Sequence, residues 1–332
     1  MNLRFLYPDP DPLTIYGANN DSYWLMLFVR SDSIQQYKSL YFVAVAIEIV
    51  ALVIGYTLHL RGFILFWKIR AIHINFLLTA VGMYAVMIIG AIARLLTIPY
   101  ETRIVQFSVL PIQSRINFAG FYEAPIPFLA ILRQASYAQA FYVLWQWAIE
   151  RTCATMFVED YERTTRLHIS LLLNVLFILL SYATSYVIVT GTVNGALVAA
   201  LALLPNIFCA IMFRLMLIHN KKRHARLTNK IKRDADDEYS LSLRVQLNEN
   251  IWSMQKIEFG VYAITAALFI NLLFVFLPVF VLAEPDQFEL LQWFTCAANV
   301  GFAFTITATA PILEIAIAIH KGNIPSFLIR LL

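Results

Sequence analysis

Seven apolar stretches, each long enough to cross a bilayer as an α-helix of roughly 20 residues, run through this 332-residue sequence. In hydrocarbon, only a helix or a closed barrel pairs all of its backbone polar groups, and continuous apolar runs exclude the alternating pattern of barrel strands. The sequence therefore predicts an all-α membrane protein, a seven-transmembrane helix bundle. The predicted spans cover about residues 37–60, 74–96, 128–149, 167–189, 195–218, 258–282 and 290–319.

The composition agrees with a protein that lipid solvates. Hydrophobic residues make up 60% of the chain and charged residues 14%, whereas about a quarter of the residues in a soluble domain are charged. Three cysteines, one in a predicted loop and two in predicted spans, imply no disulfide framework. The sequence also lacks a His-Glu-x-x-His pair, a Gly-rich phosphate loop and a serine elbow. We therefore expect no enzyme, cofactor or metal site, and no nucleic-acid partner.

The distribution of basic residues predicts how the bundle is oriented. Seventeen of the 25 Lys and Arg residues fall in the tail and in the first, third and fifth connections between spans, and about seven lie on the opposite side. Basic residues concentrate on the cytoplasmic side of membrane proteins. We therefore expect residues 1–36 to be extracellular and residues 320–332 to form a short cytoplasmic tail. Asn20 lies in an N-glycosylation acceptor triplet, a possible glycosylation site that agrees with that orientation.

A Glu-Arg pair lies at the inner end of the third predicted span. Glu150 precedes Arg151 after a Trp-rich stretch. A guanidinium at the membrane edge can be held by its neighbouring carboxylate, or released toward a cytoplasmic partner when helices move. The alternative is that Arg151 is an ordinary arginine at the membrane interface, with no role as a switch. The position of the pair nevertheless favours the switch of a G-protein-coupled receptor.

The segment that begins with this pair resembles a known family. Its parts are Glu150-Arg151, Ala154-Thr155 and Asp160-Tyr161-Glu162, and the entry to the second span adds Arg70-Ala71-Ile72-His73-Ile74-Asn75. Together they resemble the nematode serpentine chemoreceptors of the Sre class. The resemblance implies a G-protein-coupled chemoreceptor in the plasma membrane of sensory neurons, on their cilia.

The fifth-to-sixth connection extends the predicted cytoplasmic surface. It begins with a run rich in Lys, Arg and His that includes Arg223, and Leu243, Leu247, Ile251 and Met254 then recur at helical spacing. The spacing predicts that the sixth helix continues into the cytoplasm with one apolar face. We expect the heterotrimeric G protein to bind there, at residues that include Glu150, Arg151, Asp160, Tyr161, Arg223 and Ile251.

Polar and aromatic side chains in the outer halves of the spans are candidates for a ligand pocket. Polar residues in spans also bond neighbouring helices, which is at least as good an explanation. Ionisable residues inside a span are costly, so Glu48 is a further candidate whose role the sequence leaves open. The candidate pocket residues are Arg133, Tyr137, Phe141, Tyr142, Asn271 and Asn299.

These features lead to one functional prediction and two alternatives. The prediction is a chemosensory receptor that binds an external small molecule in the bundle and activates a heterotrimeric G protein at the cytoplasmic face. One alternative is a seven-helix ligand-gated cation channel of inverted topology. The other is a small membrane transporter or lipid-modifying protein, for which Glu48 and Arg94 are the motive. The oligomeric state stays open.

Overall fold

The computed structural model contains seven helices and two short hairpins within the residues that it describes. Those residues are 14–16, 22–24, 28–29, 31, 34, 37–68, 74–105, 109–110, 115–116, 125–157, 167–190, 195–231, 244, 247–248, 250–251, 254–255, 258, 261–271, 273–274 and 288–318. The predicted site residues Asn20, Asp160 and Tyr161, and the predicted tail, lie outside them.

The helices follow the order of the predicted spans, and several extend beyond them. They are α1 Lys38–Lys68, α2 Ile74–Glu101, α3 Pro125–Met156, α4 Leu167–Val189, α5 Gly195–Ile231, α6 Val261–Asn271 and α7 Phe288–Ala318. Residues 247, 251, 254 and 258, upstream of α6, are also helical. Hydropathy marks the part of a helix that lies in hydrocarbon, so it does not register a helix that continues into water.

Four of these helices are long and apolar enough to cross a membrane within the described residues: Lys38–Ile64, Leu78–Glu101, Leu167–Val189 and Glu289–Ala308. Helix α3 is less apolar because its span carries Arg133, Gln134, Gln139 and Gln146. Three of these four polar side chains are buried in the bundle. Such residues lower the average hydropathy of α3 without exposing polar groups to lipid.

Helix α3 lies at the centre of the bundle. It packs against α2, α4 and α5, while α1 packs against both α2 and α7. The buried residues of α3 lie on nearly all sides of the helix. The exposed residues of α4, in contrast, form a broad apolar surface that suits contact with lipid. Arg133 near the start of α3 and Arg151 near its end define the two ends of the bundle, called here the Arg133 end and the Arg151 end.

Glycine allows α2 to approach its neighbours closely. A Cβ at Gly90 would lie 2.1 Å from Oγ of Ser136 on α3, and one at Gly82 would lie 2.4 Å from Oδ1 of Asn174 on α4. Both distances are far below van der Waals contact. Small residues of this kind let membrane helices pack at short range.

The two hairpins belong to the Arg133 end. Strands β1 (Thr14–Tyr16) and β2 (Ser22–Trp24) pair antiparallel, as do β3 (Val109–Leu110) and β4 (Arg115–Ile116). The second hairpin connects α2 to α3, and β1 contacts β4. The hairpins therefore associate with each other beside the end of α2.

Candidate functional site

Glu150 and Arg151 form a tight ion pair at the Arg151 end. Arg151 donates from Nε to Oε2 of Glu150 at 2.5 Å and from Nη2 to Oε1 at 2.7 Å. The arginine is 5% exposed and the glutamate is fully buried. Two parallel bonds between a guanidinium and a carboxylate are the strongest arrangement that this pair of side chains can make.

Asparagines from two other parts of the chain complete the cluster around Arg151. Nη1 of Arg151 donates to Oδ1 of Asn250 at 3.3 Å, and Nδ2 of Asn250 donates to Oγ1 of Thr155 at 3.1 Å. Nδ2 of Asn220 on α5 donates to the same hydroxyl oxygen at 3.2 Å. These residues, Glu150, Arg151, Thr155, Asn220 and Asn250, are called here the Arg151 cluster. It joins α3, α5 and the segment that precedes α6.

Of the remaining predicted switch residues, the structure describes Ile251, next to Asn250 in the sequence, and Arg223 on α5, while Asp160 and Tyr161 lie outside the described residues. Ile251 is 8% exposed and packs in the core with Leu247 and Met254. Arg223 is half-buried on α5. The apolar face predicted upstream of the sixth span is thus turned inward where the structure describes it.

A second polar cluster lies at the Arg133 end. Arg133 donates from Nε to the phenol oxygen of Tyr137 at 3.1 Å and from Nη2 to Oδ1 of Asn299 on α7. Its Nη1 lies 3.7 Å from Oε1 of Glu101. Tyr137 stacks on Phe302 with the ring centroids 4.2 Å apart. Three of the predicted pocket residues, Arg133, Tyr137 and Asn299, therefore lie together.

Glu48 belongs to the same end of the bundle. Arg94 donates from Nε and Nη2 to the two carboxylate oxygens of Glu48, at 2.5 and 2.8 Å, and from Nη1 to Oε1 of Glu101 at 2.5 Å. Negative and positive side chains therefore alternate across α1, α2 and α3, in the order Glu48, Arg94, Glu101 and Arg133. With Tyr137 and Asn299 they are called here the Arg133 cluster, and all but Tyr137 are at most 5% exposed.

The other three predicted pocket residues lie apart from Arg133. Phe141 packs in the central core, and Tyr142 shares a hydrogen bond of 2.9 Å with Thr184 on α4. Asn271 on α6 donates to Oγ1 of Thr305 on α7 at 2.7 Å. Tyr142 and Asn271 thus make interhelical bonds, which is the alternative that the sequence left open for polar residues in spans.

Glu101 and Asn250 belong to the two clusters but were not predicted as site residues. Glu101 lies beyond the predicted end of the second span, because α2 continues through Pro99 for one more turn. Asn250 lies on the predicted extension of the sixth helix, where the periodic pattern consists of apolar residues and marks no polar position. Within the described residues, no three His, Cys, Asp or Glu side chains gather as a metal site would require.

Comparison with known proteins places this arrangement in a family. The model of the Sre G protein-coupled chemoreceptors matches residues 15–320. Serpentine receptor class epsilon-37 of Caenorhabditis elegans is 26% identical over 259 residues, which cover 72% of this chain and 68% of that protein. Serpentine receptor class epsilon-30 of the same species is 25% identical over 258 residues, 73% of this chain and 70% of that protein. The resemblance predicted from the sequence is confirmed, and the chain belongs to the Sre family of G protein-coupled chemoreceptors.

Proposed function

We propose that this protein binds an external small molecule at the Arg133 end of its bundle and activates a heterotrimeric G protein at the Arg151 end. Membership of the Sre family supports a chemosensory receptor of the G-protein-coupled type. The two buried polar clusters lie at opposite ends of α3, so each can serve one of the two partners. The receptor would lie in the plasma membrane, on the cilia of sensory neurons.

The burial of Arg151 is the observation that carries the proposal for the G-protein side. Its guanidinium is held by Glu150 and Asn250 and is almost inaccessible. A cytoplasmic partner can reach it only if the segment with Asn250 moves away from α3. The bundle then has two packings, and a ligand favours one of them by binding to it more tightly.

The basic extension of α5 also supports the proposal that the Arg151 end faces the cytoplasm. Beyond its predicted span it continues to Ile231, and Lys221, Lys222 and Arg226 on this extension are exposed. Basic residues beside a span favour the cytoplasmic leaflet, whose lipids are anionic. We propose that Arg223 and Ile251 contribute to the contact with the G protein, together with Asp160 and Tyr161.

Substitution of Arg151 tests the proposal. We expect Arg151→Ala to reach the cell surface and to lose most of its stimulation of nucleotide exchange on a co-expressed G protein, because the released guanidinium contacts that partner. Arg103→Ala is the matched control, since it removes a half-exposed arginine at the opposite end. Normal exchange by Arg151→Ala, at equal surface expression, would remove this residue from the mechanism.

The transporter alternative has lost part of its support. Glu48 and Arg94, which suggested it, hold each other in a bidentate pair that also links α1 to α2. Such a pair has a structural role without any transported ion. Proton- or sodium-dependent uptake by the protein in reconstituted vesicles would restore that alternative.

A further inference from the structure

Two buried polar atoms beside the Arg133 cluster make no hydrogen bond within the part of the chain that the structure describes. They are Oε2 of Glu101 and the phenol oxygen of Tyr41. Glu101 is 1% exposed and Tyr41 is 0% exposed. Buried polar atoms almost always have a partner, because an unpaired one loses its bonds to water and gains none. Each of these atoms therefore has capacity for a further hydrogen bond.

The two atoms belong to one place in the bundle. Tyr41 packs with Ile98 of α2 and Cys296 of α7 in an apolar cluster that also contains Val29, Ile34 and Val45. Ile98 lies three residues before Glu101, so the two share a face of α2. The carboxylate of Glu101 bonds Arg94 and lies 3.7 Å from Arg133, which in turn bonds Asn299 of α7. Both unpaired atoms thus lie where α1, α2 and α7 meet.

The charges around this junction restrict the chemistry of an occupant. The carboxylates of Glu48 and Glu101 are matched by the guanidiniums of Arg94 and Arg133, so the group is neutral as a whole. An added ammonium or carboxylate would leave one charge without a counterion in a buried site, which is costly. An uncharged polar group carries no such cost.

Hydrogen-bonding capacity restricts the occupant further. A carboxylate oxygen can only accept a hydrogen bond, while the phenol of Tyr41 can donate one. A hydroxyl group satisfies both, because it donates through its hydrogen and accepts through its oxygen. The apolar side chains around Tyr41 suit a short alkyl group.

We propose that the junction of α1, α2 and α7 binds a small alcohol, whose hydroxyl donates to Glu101 and accepts from Tyr41. This inference rests on the proposed function in one respect, since the alcohol would then be the external chemical cue. Water offers the same hydroxyl chemistry without an alkyl group. The test must therefore separate an alcohol from water and from other small organic molecules.

Direct binding to the purified full chain in lipid nanodiscs provides that test. The probe is 1-butanol, followed by saturation-transfer NMR, and diethyl ether is the comparator because it has the same atoms but no donor. We expect saturable binding of 1-butanol, with butylamine and diethyl ether much weaker. Loss of one hydrogen bond predicts that Tyr41→Phe binds 1-butanol about threefold to tenfold more weakly.

Tyr41→Phe is a suitable variant because it removes an atom that makes no hydrogen bond to any residue that the structure describes. Its matched control is Tyr186→Phe, which removes the same atom from an exposed side chain of α4 and is expected to bind as the unaltered protein does. Three results would each overturn the proposal. Tyr41→Phe could bind 1-butanol as well as the unaltered protein does, diethyl ether could bind as well as 1-butanol does, or 1-butanol could fail to bind at all. The last result would leave water as the occupant.

The same measurement distinguishes this proposal from the proposed function. Binding is read without a G protein, so saturable and Tyr41-dependent binding supports the alcohol site even if the chain stimulates no nucleotide exchange. Conversely, a receptor that responds to another cue but does not bind 1-butanol would keep the proposed function and lose the alcohol site.

Discussion

The Glu150-Arg151 pair shows how two neighbouring residues can share a buried position. Adjacent side chains on a helix point about 100° apart, so Arg151 must fold back along α3 to bond both oxygens of Glu150. Burial strengthens this attraction and makes it costly to remove either partner, by about 3–5 kcal/mol where a charge is left uncompensated. Release of Arg151 therefore requires a new partner of similar strength. An acidic or carbonyl-rich surface of a G protein would supply one.

Asn250 is the residue that we expect to set the resting activity of the receptor. Its bond to Arg151 is long, at 3.3 Å, and it also donates to Thr155. A single hydrogen bond contributes about 0.5–1.5 kcal/mol, so Asn250→Ala should raise basal nucleotide exchange about twofold to tenfold. Exchange in membranes without added ligand, normalised to surface expression, measures the effect.

Asn250→Asp provides the opposing change at the same position. It keeps an oxygen opposite Arg151 and adds a negative charge, so the bundle should hold Arg151 more tightly and basal exchange should fall. The two variants must therefore differ in sign. A decrease in both would show that position 250 serves folding or the G-protein contact rather than restraint of Arg151.

The candidate site could be predicted in part, residue by residue. Arg133, Asn299, Glu150 and Arg151 were predictable because ionisable and amide groups are costly in a span and need partners. The partners of these residues could not be predicted. Pairing depends on how each helix is rotated about its axis and on which helices are neighbours, and no short stretch of the sequence encodes either. Tyr142 shows the consequence: one position after Phe141, it points to α4 instead of toward the core.

Helix α2 depends on small side chains for its packing against α3 and α4. Gly90 lies against Ser136 so closely that a methyl group would overlap the Ser136 side chain, with the Ser136 Cα 3.6 Å away. Gly90→Ala should therefore destabilise the receptor by about 1–3 kcal/mol, as overpacking does in other cores. Thermal unfolding in detergent measures this, and Ser136→Gly in the same chain should restore stability. Stability equal to that of the unaltered protein in Gly90→Ala would mean that α2 and α3 are farther apart.

The helix ends were harder to predict than the helices themselves. The second span was expected to end at residue 96, where Thr97 and Pro99 interrupt the apolar run, yet α2 continues to Glu101. A proline removes one backbone donor and is tolerated near a helix end when other bonds hold the last turn. Thr102 donates its backbone N–H to the carbonyl of Ile98 at 2.9 Å in this turn. That extra turn brings Glu101 to Arg94 and Arg133.

For the molecule as a whole, hydropathy predicted the number of helices but not how they surround α3. The contact of α1 with α7 closes the bundle, because it brings the first helix against the last. It is carried partly by Thr307, which donates to the carbonyl of Ala51 at 2.7 Å. Long-range contacts of this kind depend on the complete set of helices.

The orientation of the bundle decides which cluster meets the cytoplasm. Arg133 and Arg151 are eighteen residues apart on α3, a rise of about 27 Å along the helix, close to the ~30 Å thickness of the hydrocarbon core. We therefore expect one cluster near each membrane surface. The excess of basic residues on the Arg151 side predicts that this end is cytoplasmic.

Epitope tags at the two termini test this orientation in intact cells. An antibody should reach an N-terminal tag without permeabilisation and a C-terminal tag only after it, because an odd number of spans places the termini on opposite sides. A cytoplasmic protein stained in the same cells controls for leakage. If the pattern is reversed, the Arg151 cluster faces outward and cannot contact a G protein. The inverted cation channel would then be the better explanation of the same seven helices.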